Sequence, residues 1–244
     1  MLAMTSVTFR NKTPQQILSI CRRYGIEAIE WGADVHVPPQ DSAYARRIGE
    51  LTRASGMEVC SYGSYYRVGQ DNVSDFTQVL ESCKALGAPV VRVWCGTVGS
   101  QSTSQELRAR YIGQLQQMCD MAQVYGIVVA CEFHNNTYND TADSARDLIR
   151  SVDRSNYRTY WQPVTYDERD LQYLQALRDH VVRMHVFSWR KDGKRYALSK
   201  QQSLWRQYLA VCDVPRVMEF VRWNSVLQFA ADARTLRRWL EMKR

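Results

Sequence analysis

A (β/α)8 barrel is the fold that this sequence predicts, and three observations carry the prediction. Short apolar segments alternate with longer amphipathic segments eight times, without a linker, a low-complexity tract or a shift in composition. Four of the longer segments end at a glycine followed by an apolar run, at Gly25, Gly56, Gly87 and Gly126, as short helix-to-strand loops require. The length of 244 residues suits one barrel, so we expect residues 1–244 to form a single domain.

The predicted strands are rich in β-branched and aromatic residues and are bounded by turn residues. They cover residues 4–9, 26–31, 58–62, 89–94, 127–132, 157–161, 181–187 and 214–221. The predicted helices have apolar residues at helical spacing and open on capping residues such as Thr13 and Asp41. They cover residues 13–24, 41–54, 75–86, 104–125, 143–152, 168–177, 203–211 and 225–243. Residues 63–72 are predicted to be a loop.

A doubly wound open sheet is the alternative architecture for alternating strands and helices. Its nucleotide-binding form needs a glycine-rich loop directly after the first strand. This chain has Phe9, Arg10, Asn11 and Lys12 at that position, so the sequence favours the closed barrel.

The charge and the cysteines bear on partners and compartment. The net charge of +7 comes from 26 arginines and 6 lysines that are spread along the chain, which indicates a solvated basic surface and no nucleic-acid partner. The seven cysteines are scattered without a Cys-x-x-Cys pair, which is typical of reduced thiols in a cytoplasmic protein. We see no secretion signal and no apolar stretch long enough to cross a membrane.

The fifth predicted strand brings two chemically active side chains to its carboxyl end. The apolar run from Ile127 leads into Glu132, and His134 follows two residues later. Because side chains alternate along a strand, Glu132 and His134 point the same way. The structural alternative is that Glu132 pairs with a core arginine and that His134 is an ordinary loop histidine.

Three later strands end in further polar side chains. Gln162 follows the sixth strand, His185 lies in the seventh and Glu219 lies in the eighth between apolar neighbours. Buried carboxylates are costly and are usually paired or bound to a metal ion. Together with Glu132 these residues form a mixed nitrogen and oxygen ligand set, which suits one divalent ion of Mn, Co, Mg, Zn or Fe.

Aromatic and basic residues surround the predicted strand ends. The candidates for stacking on a substrate are Trp31, Tyr62, Trp94, Trp161 and Trp189, and ordinary core packing is the alternative for each. Arg92 shares a strand face with Trp94, so we expect it to point into the barrel. A buried arginine needs a partner, either a carboxylate of the protein or an anion of the substrate. Arg190 opens a hairpin-like excursion after the seventh strand, for which a solvated loop is the alternative.

Five short motifs resemble the sugar isomerase and epimerase group of the xylose isomerase-like barrels. They are Ile-Glu-Trp-Gly at 29–32, Arg-Val-Trp at 92–94, Cys-Glu-Phe-His-Asn-Asn at 131–136, Met-His-Val at 184–186 and Met-Glu-Phe at 218–220. The resemblance implies that Glu132, His185 and Glu219 bind one divalent metal ion. Gln162 stands where the family has an aspartate, and because it carries no negative charge we expect weaker metal binding.

The resemblance also implies an activity. We expect a metal-dependent sugar isomerase or epimerase that works through an enediolate, with Glu132 and Glu219 as acid and base and His134 orienting the substrate. Two glutamates balance a divalent ion and Arg92 adds a positive charge, so an anionic sugar derivative is the expected substrate. The alternatives are a dehydratase or lyase on a keto-sugar or cyclitol, and a non-catalytic sugar-binding barrel. The sequence leaves the oligomeric state open, with a homo-oligomer as one alternative.

Overall fold

Eight parallel strands close into a barrel in chain order, with the first strand paired to both the second and the eighth. The computed structural model describes residues 1–242. The strands are β1 Leu2–Thr5, β2 Ala28–Gly32, β3 Glu58–Val68, β4 Val90–Cys95, β5 Val128–Glu132, β6 Tyr157–Trp161, β7 Val181–Val186 and β8 Arg216–Met218. The predicted (β/α)8 barrel is therefore confirmed.

One helix follows each strand and packs against the outside of the barrel. The helices are α1 Pro14–Arg23, α2 Ser42–Ala54, α3 Val73–Leu86, α4 Gln105–Gln123, α5 Ala142–Val152, α6 Glu168–Leu177, α7 Gln202–Val211 and α8 Val226–Glu241. The predicted caps are present, since the Thr13 and Asp41 side chains accept hydrogen bonds from the first turns of α1 and α2. Over residues 1–242, no helix combines the length and the apolar character that crossing a membrane requires.

Several predicted boundaries differ from the structure, and the predicted eighth strand, 214–221, is a strand only over Arg216–Met218. The first strand stops at Thr5, and Ser6–Phe9 form a 3-10 turn in which the Ser6 hydroxyl accepts a hydrogen bond from Gly32 of β2. The predicted loop at 63–72 is strand as far as Val68, because a register shift lets β3 continue along β4. The predicted end of the last helix, Lys243, lies outside the described residues.

The core has two layers, one on each side of the sheet. The larger layer fills the space between the strands and the helices. The smaller layer fills the barrel interior and consists mainly of small side chains, namely Ala3, Ala28, Cys60, Val90, Ala130, Tyr160 and Val217. Tyr160 is the largest of them, and polar side chains occupy the interior above this apolar floor.

Two helical glycines allow a test of the helix packing. A Cβ on Gly49 of α2 would lie 2.2 Å from the Leu86 carbonyl oxygen of α3, whereas a Cβ on Gly113 of α4 would meet nothing within 4 Å. Because overpacking costs about 1–3 kcal/mol, Gly49→Ala should lower the free energy of unfolding by that amount in urea titrations. Gly113→Ala should raise it by about 0.5–1 kcal/mol, since alanine is the better helix former. Equal effects of the two substitutions would contradict the close α2–α3 contact.

Candidate functional site

A layer of buried polar side chains lies above the floor of the barrel interior. Its charged members come from five different strands or strand ends and are at most 6% exposed. They are Glu30, Arg92, Glu132, His185 and Glu219. Gln162, directly after β6, is also 6% exposed and completes the layer. The structure therefore brings Glu132, Gln162, His185 and Glu219 together, as the strand-end positions indicated.

Arg92 joins two of these carboxylates. Its Nη2 and Nε atoms donate to Glu30 at 3.0 Å and 3.3 Å, and its Nη1 atom donates to Glu132 Oε2. The Ser61 hydroxyl adds a hydrogen bond of 2.9 Å to Glu30. The guanidinium fits because position 63 is glycine, where a Cβ would come within 2.6 Å of Arg92 Nη2. The partner of Arg92, which the sequence left open between protein and substrate, is a pair of protein carboxylates.

This pairing keeps Glu30 and Glu132 ionised. Burial by itself raises the pKa of a carboxyl group, but Arg92 and His185 outweigh burial here and hold the pKa of both groups well below the usual range. Trp94 donates a further hydrogen bond from its indole nitrogen to Glu132 Oε2. Glu132 Oε2 thus has two donors, and Glu132 Oε1 faces His185.

His185 is the point on which the carboxylates converge. Its Nδ1 atom lies 3.2 Å from Gln162 Oε1 and 3.5 Å from both Glu132 Oε1 and Glu219 Oε2. Its Nε2 atom lies 3.4 Å from Glu30 Oε1. Burial disfavours the charged imidazole, but the surrounding glutamates outweigh it and raise the pKa of His185 to about 10. The metal-free site therefore holds a doubly protonated His185 whose two N–H groups point at oxygens.

The donor set fits a divalent metal ion. Three oxygens lie around one nitrogen, since Gln162 Oε1 is 3.2 Å and Glu132 Oε1 and Glu219 Oε2 are each 3.5 Å from His185 Nδ1, close to the separation of about 3 Å between neighbouring ligands of one ion. Across residues 1–242, no three His, Cys, Asp or Glu side chains already stand in a ligand cage. Proton and metal would therefore compete for His185 Nδ1, and Glu30 would accept the hydrogen bond from the opposite ring nitrogen.

Glu219 has a different environment from Glu132. Apart from the ion-pair contact with His185, no described side chain donates a hydrogen bond to its carboxylate. Burial raises the pKa of Glu219, and the nearby Glu132 and Glu30 oppose the lowering by His185 and Arg92. Of the two glutamates, Glu219 is the one that holds a proton more readily.

Trp94 and His134 lie at the mouth of the barrel above Glu132. Their rings stack with centroids 5.1 Å apart and an angle of 25° between the planes. Arg67 lies 3.9 Å from the Trp94 ring, and the Tyr65 ring lies 5.8 Å from it. His134 is half-buried and contacts no carboxylate among the described residues, so its place is in the aromatic wall.

Trp31, Tyr62 and Trp161 lie on the outside of the sheet and are fully buried against helices and loops. The Trp31 indole donates to Thr52 of α2, the Tyr62 hydroxyl donates to the Val37 carbonyl, and Trp161 packs on Tyr208 of α7. The structure therefore does not bring these three predicted substrate-binding residues to the site. The reason is strand alternation, because Trp31 follows the inward Glu30 and Trp161 precedes the inward Gln162.

Trp189 and Arg190, at the start of the loop after β7, have side chains that point in opposite directions. Trp189 packs on Phe220 at the mouth, with ring centroids 5.1 Å apart. Arg190 is exposed on the other side, where it lies over Tyr196. The excursion is a hairpin closed by a bridge between Trp189 and Arg195, so Arg190 points away from the site and Arg195 points toward Phe220.

Glu30, Tyr65 and Arg195 belong to the site but were not among the predicted residues. Glu30 had a usable signal, since it is a carboxylate inside an apolar strand, just like Glu132. Tyr65 and Arg195 had none, because their positions depend on loop geometry. Tyr65 has a left-handed backbone, with φ of 60°, and its hydroxyl accepts a hydrogen bond of 2.6 Å from Arg10.

The family model described as xylose isomerase-like TIM barrel matches residues 18–195, and the chain belongs to this family. Among its relatives, 3-dehydroshikimate dehydratase of Bacillus anthracis is 23% identical over 167 residues, which cover 64% of this chain and 59% of that protein. Inosose isomerase of Bacillus velezensis is 22% identical over 161 residues, which cover 62% of this chain and 58% of the relative. The matches thus span about three fifths of the relatives' length.

Solved structures show the same architecture over nearly the whole chain. The crystal structure of the probable 3-DHS dehydratase AsbF from Bacillus anthracis superimposes with a TM-score of 0.82 at 17% identity, covering 97% of this chain and 98% of that one. The crystal structure of the IOLI protein with a bound zinc atom gives a TM-score of 0.76 at 15% identity, covering 98% and 96%. At these identities the likeness is one of fold.

The protonated His185 gives the metal-free protein a pH-dependent stability. A histidine whose pKa is raised on folding stabilises the protein fully below its unfolded pKa, and the contribution is lost as the pH rises through about 10. Between pH 6.5 and 8, before thiols ionise, the free energy of unfolding should fall by up to about 1.4 kcal/mol per pH unit. Urea titrations on chelator-treated protein would measure the slope. His185→Asn should flatten it, and His180→Asn, at the other end of β7, should leave it unchanged.

Proposed function

We propose that this protein is a divalent-metal-dependent isomerase or epimerase of a sugar or sugar derivative. The observation that carries the proposal is the convergence of Glu132 and Glu219 on one nitrogen of His185, inside the barrel and beneath an aromatic mouth. Isomerisation or epimerisation beside a carbonyl needs one group to remove a proton from carbon and another to supply one. Two carboxylates that each lie 3.5 Å from the same nitrogen of His185 are close enough together to serve as that pair.

The two glutamates have contacts that suit different roles. Glu132 is held by Arg92 and Trp94 and stays ionised, which suits the group that accepts the proton from carbon. Glu219 has no such donors and keeps a proton more readily, which suits the group that returns one. In the reverse direction the roles exchange, because each step is reversible. The chain thus supplies an acid and a base for an enediolate route.

Glu132, Gln162, His185 and Glu219 would hold the metal ion. When bound, a divalent ion stabilises the negative charge that develops on the substrate oxygens. Glu30 keeps the His185 ring oriented through Nε2, and Arg92 fixes the Glu132 carboxylate so that one oxygen points to the centre. Trp94, His134 and Tyr65 wall the mouth and exclude water from the reacting carbons.

A dehydratase is the second candidate, and the relatives favour it. A 3-dehydroshikimate dehydratase is among the proteins that match this chain in sequence. Such a reaction begins with the same removal of a proton beside a carbonyl, and it ends when the neighbouring C–O bond breaks and the hydroxyl leaves as water with a proton from the acid. Mass spectrometry of the product separates the two, because only a dehydratase product is lighter than its substrate by one water.

The first experiment is a screen of ketoses, inososes, sugar acids and 3-dehydroshikimate with Mn, Co or Mg added. In heavy water, an isomerase of the proposed type should place deuterium on the carbon next to the product carbonyl, since the proton passes through a carboxyl group that exchanges with solvent. Nuclear magnetic resonance of the product would show it. Complete retention of the original hydrogen would contradict the proton-transfer route.

Substitution of the two glutamates tests the acid–base assignment. Glu132→Gln and Glu219→Gln should each lower kcat at least about 100-fold, because each change removes a proton carrier. The double variant should lose little more than either single variant, since either change already disables the pair. Glu81→Gln on the exposed face of α3 is the matched control and should keep full activity. Turnover that survives both single substitutions would exclude these residues as the pair.

Gln162 should set the metal affinity. Replacing a neutral ligand oxygen by a carboxylate strengthens binding, so Gln162→Asp should tighten the metal about tenfold or more, as measured by calorimetric titration of the apo protein. Gln175→Asp on the exposed side of α6 is the control and should leave the affinity unchanged. If no metal binds to the wild type or to Gln162→Asp at any concentration, the non-catalytic sugar-binding barrel becomes the better interpretation.

A further inference from the structure

Arg195 is a cation at the mouth of the barrel that lacks a carboxylate partner among the described residues. Its guanidinium lies 4.6 Å from the centre of the Phe220 ring and 4.9 Å from that of Trp189. Its Nη1 atom donates one hydrogen bond, of 2.7 Å, to the Asn224 side-chain oxygen. Within residues 1–242, the other N–H groups of this guanidinium have no acceptor, so a planar fork of donors remains available.

The position of Arg195 is fixed by the surrounding backbone. The antiparallel bridge between Trp189 and Arg195 holds both side chains on the same side of the hairpin. On the facing loop, Phe220 and Asn224 both have left-handed backbones, with φ of 49°. Residues other than glycine rarely adopt this conformation, and where they do it is often at a functional site. The loop thereby directs an aromatic face and an amide oxygen to one guanidinium.

When the positive and negative charges of the described site are compared, the charge of Arg195 has no negative charge that balances it. Deeper in the barrel, Glu30, Glu132 and Glu219 carry at most three negative charges, which Arg92 and a divalent ion would neutralise. Arg10 also lies near Phe220, but Asp34 pairs with it at 2.8 Å. Burial and the nearby Arg10 lower the pKa of Arg195, while Glu219 opposes them, as expected of a guanidinium that is not fully compensated.

The sequence predicted that Arg92 supplies the positive charge for an anionic substrate, and the structure corrects this prediction. Glu30 and Glu132 both bind that guanidinium. Arg190, the other predicted cation, points away from the site. Of the cations that contact Phe220 and Trp189 at the mouth, Arg195 is the one without a carboxylate partner among the described residues.

We propose that Arg195 binds a carboxylate group of the substrate, so that the substrate class is a sugar acid or a cyclic keto acid. This inference rests on the proposed function, since it names the substrate of the same site. A single fork of N–H donors matches the two oxygens of a planar carboxylate. The nearby Glu219 disfavours a second negative charge, so a phosphate ester should bind less well than a carboxylate.

The test is equilibrium binding of ligand pairs that differ only in charge. The probes are D-glucuronate against D-glucose and D-galacturonate against D-galactose, with D-glucose 6-phosphate as the phosphate arm, titrated into magnesium-loaded protein and followed by NMR. We expect each carboxylate to bind about tenfold more tightly than its neutral partner, the size of one charge-assisted hydrogen-bond pair. Equal dissociation constants, no binding of any carboxylate, or tighter binding of the phosphate would overturn the proposal.

Arg195→Gln should abolish the advantage of the carboxylates while leaving the dissociation constants of the neutral sugars unchanged. Arg195→Lys should keep only part of it, because lysine has a charge but no planar fork. Arg190→Gln, in the same hairpin, is the matched control and should keep the full preference. Urea titrations check that each variant is folded. An Arg195→Gln protein that binds carboxylates as tightly as wild type would overturn the proposal.

The binding test of the Arg195 subsite and the test of the proposed isomerase or epimerase activity can fail independently of each other. Selective binding of carboxylates that depends on Arg195, without turnover, would support the subsite and contradict the activity. Turnover of a sugar substrate, together with equally tight binding of carboxylates by wild type and Arg195→Gln, would support the activity and contradict the subsite.

Discussion

Arg92 lies between Glu30 and Glu132 inside a barrel, where an unpaired carboxylate would cost several kcal/mol. The two ion pairs share one guanidinium, and the Ser61 hydroxyl satisfies a further oxygen of Glu30. Because Arg92 binds one oxygen of Glu132, the other oxygen faces His185. The same arginine requires glycine at position 63, since a side chain there would occupy the space of its guanidinium. The geometry of the remaining site follows from this buried pairing.

Strand alternation separates the chemistry of the interior from the packing of the outer layer. On β2, Glu30 points inward to Arg92, and its neighbour Trp31 points outward to α2. After β6, Gln162 reaches His185, whereas Trp161 packs on α7. The large outward aromatics hold the helices against the strands, and this fixes the backbone that carries the inward polar groups. The precision of the polar layer therefore depends on side chains that never contact it.

The fold and five residues of the polar layer could be predicted from the sequence, because strand and helix periods are local and buried polar residues at strand ends are rare. Glu30 could have been found by the same rule that found Glu132. The direction of the aromatic side chains at strand ends was harder to predict, since a tryptophan suits either face of a strand. Only the inward direction of its neighbour shows that the tryptophan points outward. Tyr65 could not be predicted, because its place depends on a register shift and a left-handed backbone. The hairpin-like excursion was predicted, but local patterns do not specify the pairing of Trp189 with Arg195 that turns Arg195, and not Arg190, toward the mouth.

The charges of the site are arranged by depth, and this bears on how a substrate would lie. In the metal-free site the interior holds three carboxylates against the Arg92 guanidinium and the protonated His185, while the mouth presents Arg195 and Arg67 on aromatic faces. A ligand with a negative group would meet repulsion if that group entered first and attraction if it stayed at the mouth. The hydroxyl and carbonyl end would then be the part that reaches Glu132 and Glu219. The charges of the interior and of the mouth thus favour the same orientation of an anionic ligand.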